Sequence, residues 1–429
     1  MSLEKLSKTS QQIALVDCNN FYASCERIFK PKWAKRPLGI LSNNDGCIVA
    51  RSNELKEAGI PMGAPYFQIR DQLDEMKAVI VSSNYTLYGN MSARVMNTLG
   101  QFTPEIEVYS IDEAWLDLSG FCHLSLDAYA REIAATTLRH TGIPVSVGIG
   151  PTRVLAKIAN RVCKKRKIPG RVFNLGSAES LDHVLETIEV QDIWGIGRRL
   201  SKKLRASGIH TAKNLRDADP DSMRRQYSVV MQRIIMELRG VPCIGVEEIQ
   251  PKKQIISSRS FGERVVELEP LLQSVAMHST KAAEKLRSQN SVCGAIQVSI
   301  RTGRHNPDEE YYSQSALAKF AMPTADTRKL INAAGQVLRR IYRKGPRYAK
   351  AGVMLLNISQ DNAMQGHLFQ ERDSEKAIAL MNTVDQLNRL YGRRAVFFAS
   401  EGCTQQWAMR RQQCTPAYTT RWDDLPVVR

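Results

Sequence analysis

The chain has no run of about 18 consecutive apolar residues, and its first stretch, MSLEKLSKTSQQ, is polar and lacks the apolar core an export signal needs. A membrane span and secretion are therefore not expected, and a soluble cytoplasmic protein is. Paired metal-binding cysteines are missing too. The nine cysteines, at 18, 25, 47, 122, 163, 243, 293, 403 and 414, are odd in number, and no C-x-x-C occurs with a second such pair or with paired histidines. This pattern points to reduced thiols and away from structural zinc. Repeats and low-complexity tracts are absent.

Acids are outnumbered. The 429 residues hold 60 Lys and Arg against 43 Asp and Glu, a net charge of +17 that suggests a polyanionic partner. Gly150 to Arg171 carries eight basic residues and no acid, and Arg198 to Arg216 carries seven and none. A solvated face usually mixes its signs, so these stretches favour phosphate contact. The length exceeds what one hydrophobic core serves, so two to four domains are expected.

Along the chain, an apolar strand from Ile13 to Val16 delivers Asp17 at its end, and an insert at roughly 23–78 carries the turn signals NNDG and GIPMGAP. AVIVSS reads as a return to the first domain. A helix, the two strands of EVYSIDEAWLDL, a second helix, strand VSVGI and a basic helix from Thr152 complete an α+β domain. Residues 174–240 are nearly all helical in pattern, and VPCIGVEEIQPKK reads as a linker. The order β-α-β-β-α-β then predicts a ferredoxin-like split unit, followed by a polar loop, one helix and a mixed tail.

Four motifs carry chemistry. In EVYSIDEAWLDL, Asp112 and Glu113 lie on opposite strand faces and can share a target only where the strand ends in a hairpin. With Asp17 on a neighbouring strand they make an oxygen donor set for Mg²⁺; a solvated acidic turn fits the two residues equally well. Arg153, Lys157, Arg161 and Lys164 fall at steps of 4, 4 and 3 and predict one basic helix stripe facing a triphosphate or a DNA backbone. An ordinary exposed helix face is the other reading. DIWGIGRRLSKKLRASGI has the form of a helix-hairpin-helix: Gly195 and Gly197 let backbone approach phosphate, Leu200 and Leu204 point inward, and Arg198, Arg199, Lys202 and Lys203 point outward. AMQGHLFQ strands an apolar pair in a polar loop, as either a docking peptide or a chance match does.

Taken together, VDCNNFYASCE, LSNNDGCIVARSNELK, SSNYTLYGNMSAR, YSIDEA, DIWGIGRR, SRSFGER, AAEKLRS, YAKAGVML and AYTTRW resemble the Y-family DNA polymerases, and among them the UmuC-type catalytic subunits of bacterial SOS translesion polymerases. The resemblance runs from Ile13 into the tail. It implies a right-hand polymerase: a polar, disordered start (1–10), an α+β palm (11–22 and 79–173), small fingers (23–78), a helical thumb (174–241), a linker (242–253), a ferredoxin-like little finger (254–357) and a C-terminal extension (358–429).

It further implies that Asp17, Asp112 and Glu113 hold two Mg²⁺ ions, with the backbone carbonyl of Cys18 as a further ligand where archaeal relatives carry an aromatic residue. Tyr22 matches the residue that screens the sugar 2′ position. Arg51, Asn53, Lys56 and Lys164 match triphosphate contacts, although other branches have Tyr and Arg where Asn53 and Lys56 stand. Gln365, Leu368 and Phe369 match the sliding-clamp peptide, with Gly366 in place of its usual Leu. The implied partners are primer-template DNA, dNTPs, a sliding clamp, a cleaved UmuD-type dimer and RecA, with a nucleoid-associated location. A DNA-binding relative without catalysis should have lost the three acids, and a nucleotide cyclase would have no use for the hairpin-helix, the little finger or the clamp peptide.

Overall fold

A computed structural model describes residues 11–425 apart from 122, 178–179, 246–250, 305–308, 362–371, 393 and 406. The expected disordered start at 1–10 lies outside the described residues. The chain divides into two compact units, Met1–Ser42 with Gly46–Glu247 and Gln413–Arg429, and Asn43–Asp45 with Glu248–Gln412. No helix among the described residues is long and apolar enough to cross a membrane, and the eight described cysteines are free thiols.

The first unit runs β1 (Ile13–Cys18), α1 (Phe21–Ile28), β2 (Leu38–Leu41), β3 (Ile48–Arg51), α2 (Asn53–Glu57), α3 (Tyr66–Glu75), β4 (Val79–Ser82), α4 (Tyr85–Leu99), β5 (Ile106–Val108), β6 (Glu113–Asp117), α5 (Leu126–Thr141), β7 (Val145–Gly150), α6 (Arg153–Lys165) and β8 (Val172–Asn174). Strand β1 is a continuous apolar run because it is the middle strand of a five-stranded sheet, β5-β6-β1-β7-β8, and is buried on both faces. It is antiparallel to β6 and β7.

Glycines in VSVGIG let α6 settle tightly on this sheet. A Cβ at Gly148 would meet the Asn160 backbone nitrogen at 2.1 Å, so any side chain there would drive the helix off. Thr152 caps the helix by accepting from the Leu155 N–H at 3.3 Å. Buried Glu237 holds its first turn by accepting from the Val154 N–H at 3.1 Å, a carboxylate at the positive end of the helix dipole.

AVIVSS does not rejoin the palm sheet. As β4 it forms a second sheet, β3-β2-β4, running parallel to β2. Strand β2 is fully buried, so its backbone groups need partners on both edges, and β3 satisfies only one. Beyond β8 come α7 (Leu181–Glu186), α8 (Arg198–Ala206), α9 (Ala212–Asp217), α10 (Pro220–Gln226) and α11 (Val229–Leu238), whose apolar faces share one core with Val154, Leu155 and Ile158 of α6.

The second unit contains β9 (Ile255–Val265), α12 (Leu268–Arg287), β10 (Ser291–Thr302), β11 (Ser313–Thr324), α13 (Thr327–Ile341), β12 (Tyr348–Gln360) and α14 (Glu375–Leu390). The element order is that of the expected split unit, but the sheet order is β11-β10-β12-β9 with every neighbouring pair antiparallel. The last strand, not the third as in a ferredoxin-like sheet, fills the gap between the first two. Either choice leaves an antiparallel sheet with helices on one face, so element order alone does not decide between them. The tail also divides. Strand β12 reaches Gln360 and α14 stays with this unit, whereas Gln413–Arg429 belongs to the first.

Candidate active site

Strand β1 carries Asp17 to its end and β6 opens on Glu113, and the two are direct cross-strand partners. One step on, the Cys18 N–H donates to the Asp112 carbonyl at 2.8 Å. The turn between β5 and β6 aims the acids. Ser110 Oγ donates to Asp112 Oδ1 at 2.6 Å and accepts from the N–H groups of Asp112 at 3.2 Å and Glu113 at 3.0 Å. The N–H groups of Tyr109 and Ser110 both donate to the Glu113 carbonyl at 3.1 Å, closing the hairpin.

Burial raises the Asp17 carboxyl to about 6, and the charges of Glu113 and Asp112 push the same way against the pull of Lys164. Lys164 pairs with Asp17, and Lys157 pairs with Glu113 at 3.2 Å. The Cys18 thiol sits in the apolar core, and burial holds it protonated, which leaves its backbone carbonyl as the donor at that position.

The basic stripe of α6 is ion-paired along its length, with Arg153 buried, Lys157 half-buried, and Arg161 and Lys164 exposed. Arg153 is 6% exposed and grips Glu107 through two N–H groups, one at 3.1 Å, with its guanidinium 5.4 Å from the Trp115 ring centre. Lys157 lies among the rings of Tyr109, Trp194 and Trp115 at 4.7, 5.2 and 5.8 Å. Arg161 pairs with Asp192. The acids absent from the local sequence come from β1, β5, β6 and the turn at 190–192, which makes Arg153 structural and turns Lys157 and Lys164 toward the carboxylates.

A cavity of about 1020 Å³ opens here, lined by Asp17, Glu113, Lys157, Lys164, Asn53 and Lys56 among others. Burial lowers the Lys56 pKa, with the charges of Arg51 and Lys164 adding to the effect. Sequence reasoning missed Asn20, which also lines the cavity. Its backbone is left-handed (φ 48°), its amide donates to Asn53 Oδ1 at 2.9 Å, and its Oδ1 accepts from Lys56. The signal was present as the second Asn of CNNFY, a residue type that tolerates positive φ. Arg51 does not line the cavity; its guanidinium donates to the Ile60 carbonyl and braces the fingers.

Tyr22, in the first turn of α1, is half-buried. Its ring stacks on Tyr88 with centroids 4.3 Å apart and planes 15° apart, and meets Tyr85 edge-on at 6.1 Å. Burial raises its phenol pKa, and the nearby charges of Tyr85 and Asp112 act in the same direction.

In the hairpin-helix, Gly195 adopts φ +91°, and a Cβ there would meet Ile234 Cδ1 at 2.9 Å. Gly197 is the N-cap of α8; Leu204 is buried, Leu200 half-buried, and Arg198, Arg199, Lys202 and Lys203 are exposed with no ion pair among the described residues. The peptide of Gln365, Leu368 and Phe369 lies outside the described residues.

Among the described residues no three His, Cys, Asp or Glu side chains are gathered into a metal cage. The donor set suits a cation that takes one or two carboxylates and completes its shell with water and phosphate oxygens, as Mg²⁺ does. Glu113 and Asp112 add negative charge beside the buried Asp17, and such a cation would relieve it.

Known proteins match most of the chain. The impB/mucB/samB family matches residues 16–161, its C-terminal domain 252–368, the IMS family HHH motif 178–209, and a domain of unknown function (DUF4113) 379–428. Protein UmuC of Salmonella typhimurium is 45% identical over 97% of this chain and 100% of its own length. DNA polymerase IV 1 of Mesorhizobium japonicum is 25% identical over 90% of this chain and 85% of its own. Among solved structures, a Y-family DNA polymerase chimera, Dbh-Dpo4(243-245)-Dbh, shares the fold at TM-score 0.61 and 21% identity, covering 82% of this chain and 100% of its own.

Proposed function

Since the chain belongs to the impB/mucB/samB family, with UmuC among its relatives, we propose that this DNA-directed DNA polymerase carries out error-prone translesion synthesis in the SOS response. The reaction is two-metal nucleotidyl transfer from a dNTP to a primer 3′-hydroxyl. The observation that carries this reading is the pairing of Asp17 with Glu113 across β1 and β6, beside Asp112, at the mouth of a cavity walled by Lys56, Lys164 and Asn53.

Asp17, Asp112, Glu113 and the Cys18 carbonyl would hold the Mg²⁺ ions, whose chemistry is to lower the pKa of the 3′-hydroxyl and neutralise the triphosphate and the departing pyrophosphate. In-line phosphoryl transfer asks of the protein mainly position and charge. Lys56 and Lys164 attract the triphosphate, and Asn20 orients Asn53 and Lys56 toward it. Lys157, held in its aromatic box, keeps Glu113 turned to the site. Tyr22 bounds the sugar side. The exposed cations of α8, with Gly195 and Gly197, engage the DNA backbone without reading sequence.

The likeness to UmuC over its full length supports work alongside a cleaved UmuD-type dimer and RecA, with a sliding clamp engaged through Gln365, Leu368 and Phe369. Primer extension with Mg²⁺ on damaged and undamaged templates, wild type beside Asp112→Asn, tests the reading. Wild type extends past the lesion and the variant extends neither template; robust synthesis by the variant refutes the metal assignment.

A further inference from the structure

Tyr88 is 0% exposed, so its hydroxyl needs a partner inside the protein. That partner is a carboxylate: Tyr88 Oη donates to Glu26 Oε1 at 2.7 Å, and Glu26 is also 0% exposed. Glu26 stands one helical turn after Tyr22 on the same face of α1. Tyr88 therefore touches α1 twice, with its ring flat against Tyr22 and its hydroxyl on Glu26. Among the described residues Glu26 has no cation partner, and its Oε2 is buried without a hydrogen bond. A buried carboxylate so placed depends on each hydroxyl that reaches it.

The second hydroxyl comes from the far end of the chain. Thr415 Oγ1 donates to Glu26 Oε1 at 3.1 Å. Residues 413–418 are strapped to the elements that carry Tyr22 and Tyr88. The Ser82 N–H donates to the Gln413 carbonyl at 3.0 Å, and the Gln413 N–H donates to Ser82 Oγ at 3.1 Å. The Asn84 amide donates to the Thr415 and Pro416 carbonyls at 3.0 and 3.1 Å, while Asn84 Oδ1 caps α4 by accepting from the Leu87 N–H at 3.2 Å. Tyr418 stacks on Phe29 at 4.7 Å, just past the end of α1.

We propose that the segment 413–418 is a positioning strap for sugar selection, in which Thr415 holds Glu26, Glu26 holds Tyr88, and Tyr88 backs the ring of Tyr22 where the nucleotide sugar lies. The inference rests on Tyr22 as the sugar-side residue, and it gives part of a domain of unknown function a role in choosing deoxynucleotides over ribonucleotides. A gate excludes by shape only while it cannot yield, so a loosened backing admits the larger sugar without touching the metal ligands.

The experiment is single-nucleotide insertion of dATP and ATP opposite template T by the full-length chain, reading kcat and KM separately, with melting curves to verify folding. Tyr88→Leu removes the backing, Tyr88→Phe removes only its tether, and Thr415→Val removes the strap hydroxyl while keeping its shape. Thr415→Ser restores the hydroxyl. Tyr88→Leu should favour ATP by about tenfold and Thr415→Val by about threefold, chiefly through a lower KM for ATP, with Tyr88→Phe between them and Thr415→Ser like wild type. In a Tyr22→Ala background the same changes should have no further effect on the ratio. Proportional losses with both nucleotides, or an effect that persists without Tyr22, overturn the strap while leaving the gate in place. An unchanged ratio in Tyr22→Ala alone overturns the gate reading and the strap with it.

Discussion

Asp17 and Glu113 face each other as the last residue pair of the β1–β6 ladder, and each is matched by a lysine from α6. The two acids are thus set by strand register, not by loop flexibility. Asp17→Asn and Glu113→Gln should each lower single-nucleotide incorporation by at least about 10²-fold, because each removes a charge proposed to hold the cation. Primer-template affinity, measured by fluorescence anisotropy, should stay within about twofold since the phosphate-contacting surface is untouched. A comparable loss of DNA binding would show that the acids support the fold and do not hold metal.

The role proposed for Tyr22 is to supply shape where metal binding would not discriminate, because a ribonucleotide and a deoxynucleotide share one triphosphate. Tyr22→Ala should raise ATP insertion relative to dATP by about tenfold or more, as relief of a clash worth about 1.4 kcal/mol already is tenfold. Insertion of dATP should fall less. Loss of both in proportion would make Tyr22 a packing residue only.

The four exposed cations of α8 should act on any DNA sequence alike. Replacing Arg198, Arg199, Lys202 and Lys203 by Gln should flatten the dependence of log K on log salt by about 0.9 for each phosphate no longer neutralised. A titration across salt concentrations checks this, and an unaltered slope would assign the helix to the thumb core alone.

His278 is 2% exposed, and burial, helped by the charges of Lys281, Arg259 and Lys350, lowers its pKa to about 3. The unfolded chain binds this proton below the ordinary 6.5 and the folded chain does not. The stability His278 contributes is therefore complete above about pH 6.5 and is lost as the pH falls toward 3. Between pH 7 and pH 5 the group should account for about 2 kcal/mol of lost stability. Urea unfolding at both pH values, wild type beside His278→Asn, should show a correspondingly smaller pH dependence in the variant; equal dependence would mean that His278 is protonated in the fold.

The amino-acid sequence determined what local chemistry can determine. The apolar run before Asp17, the paired acids of YSIDEA, the glycines and flanking cations of DIWGIGRR, and the order of helices and strands after the linker are all local patterns, because strand, turn and helix preferences act over a few residues. Partners distant in sequence were decided only by tertiary structure. The acid-free helix from Arg153 looks like a stripe of unpaired cations until Glu107, Glu113, Asp17 and Asp192 arrive to pair with it. AVIVSS looks like a palm strand until β2 claims it, and the bond from the Arg51 guanidinium to the Ile60 carbonyl has no mark in the local sequence. Thr415 and Glu26 lie 389 residues apart and meet because a buried carboxylate must find donors wherever the folded chain brings them.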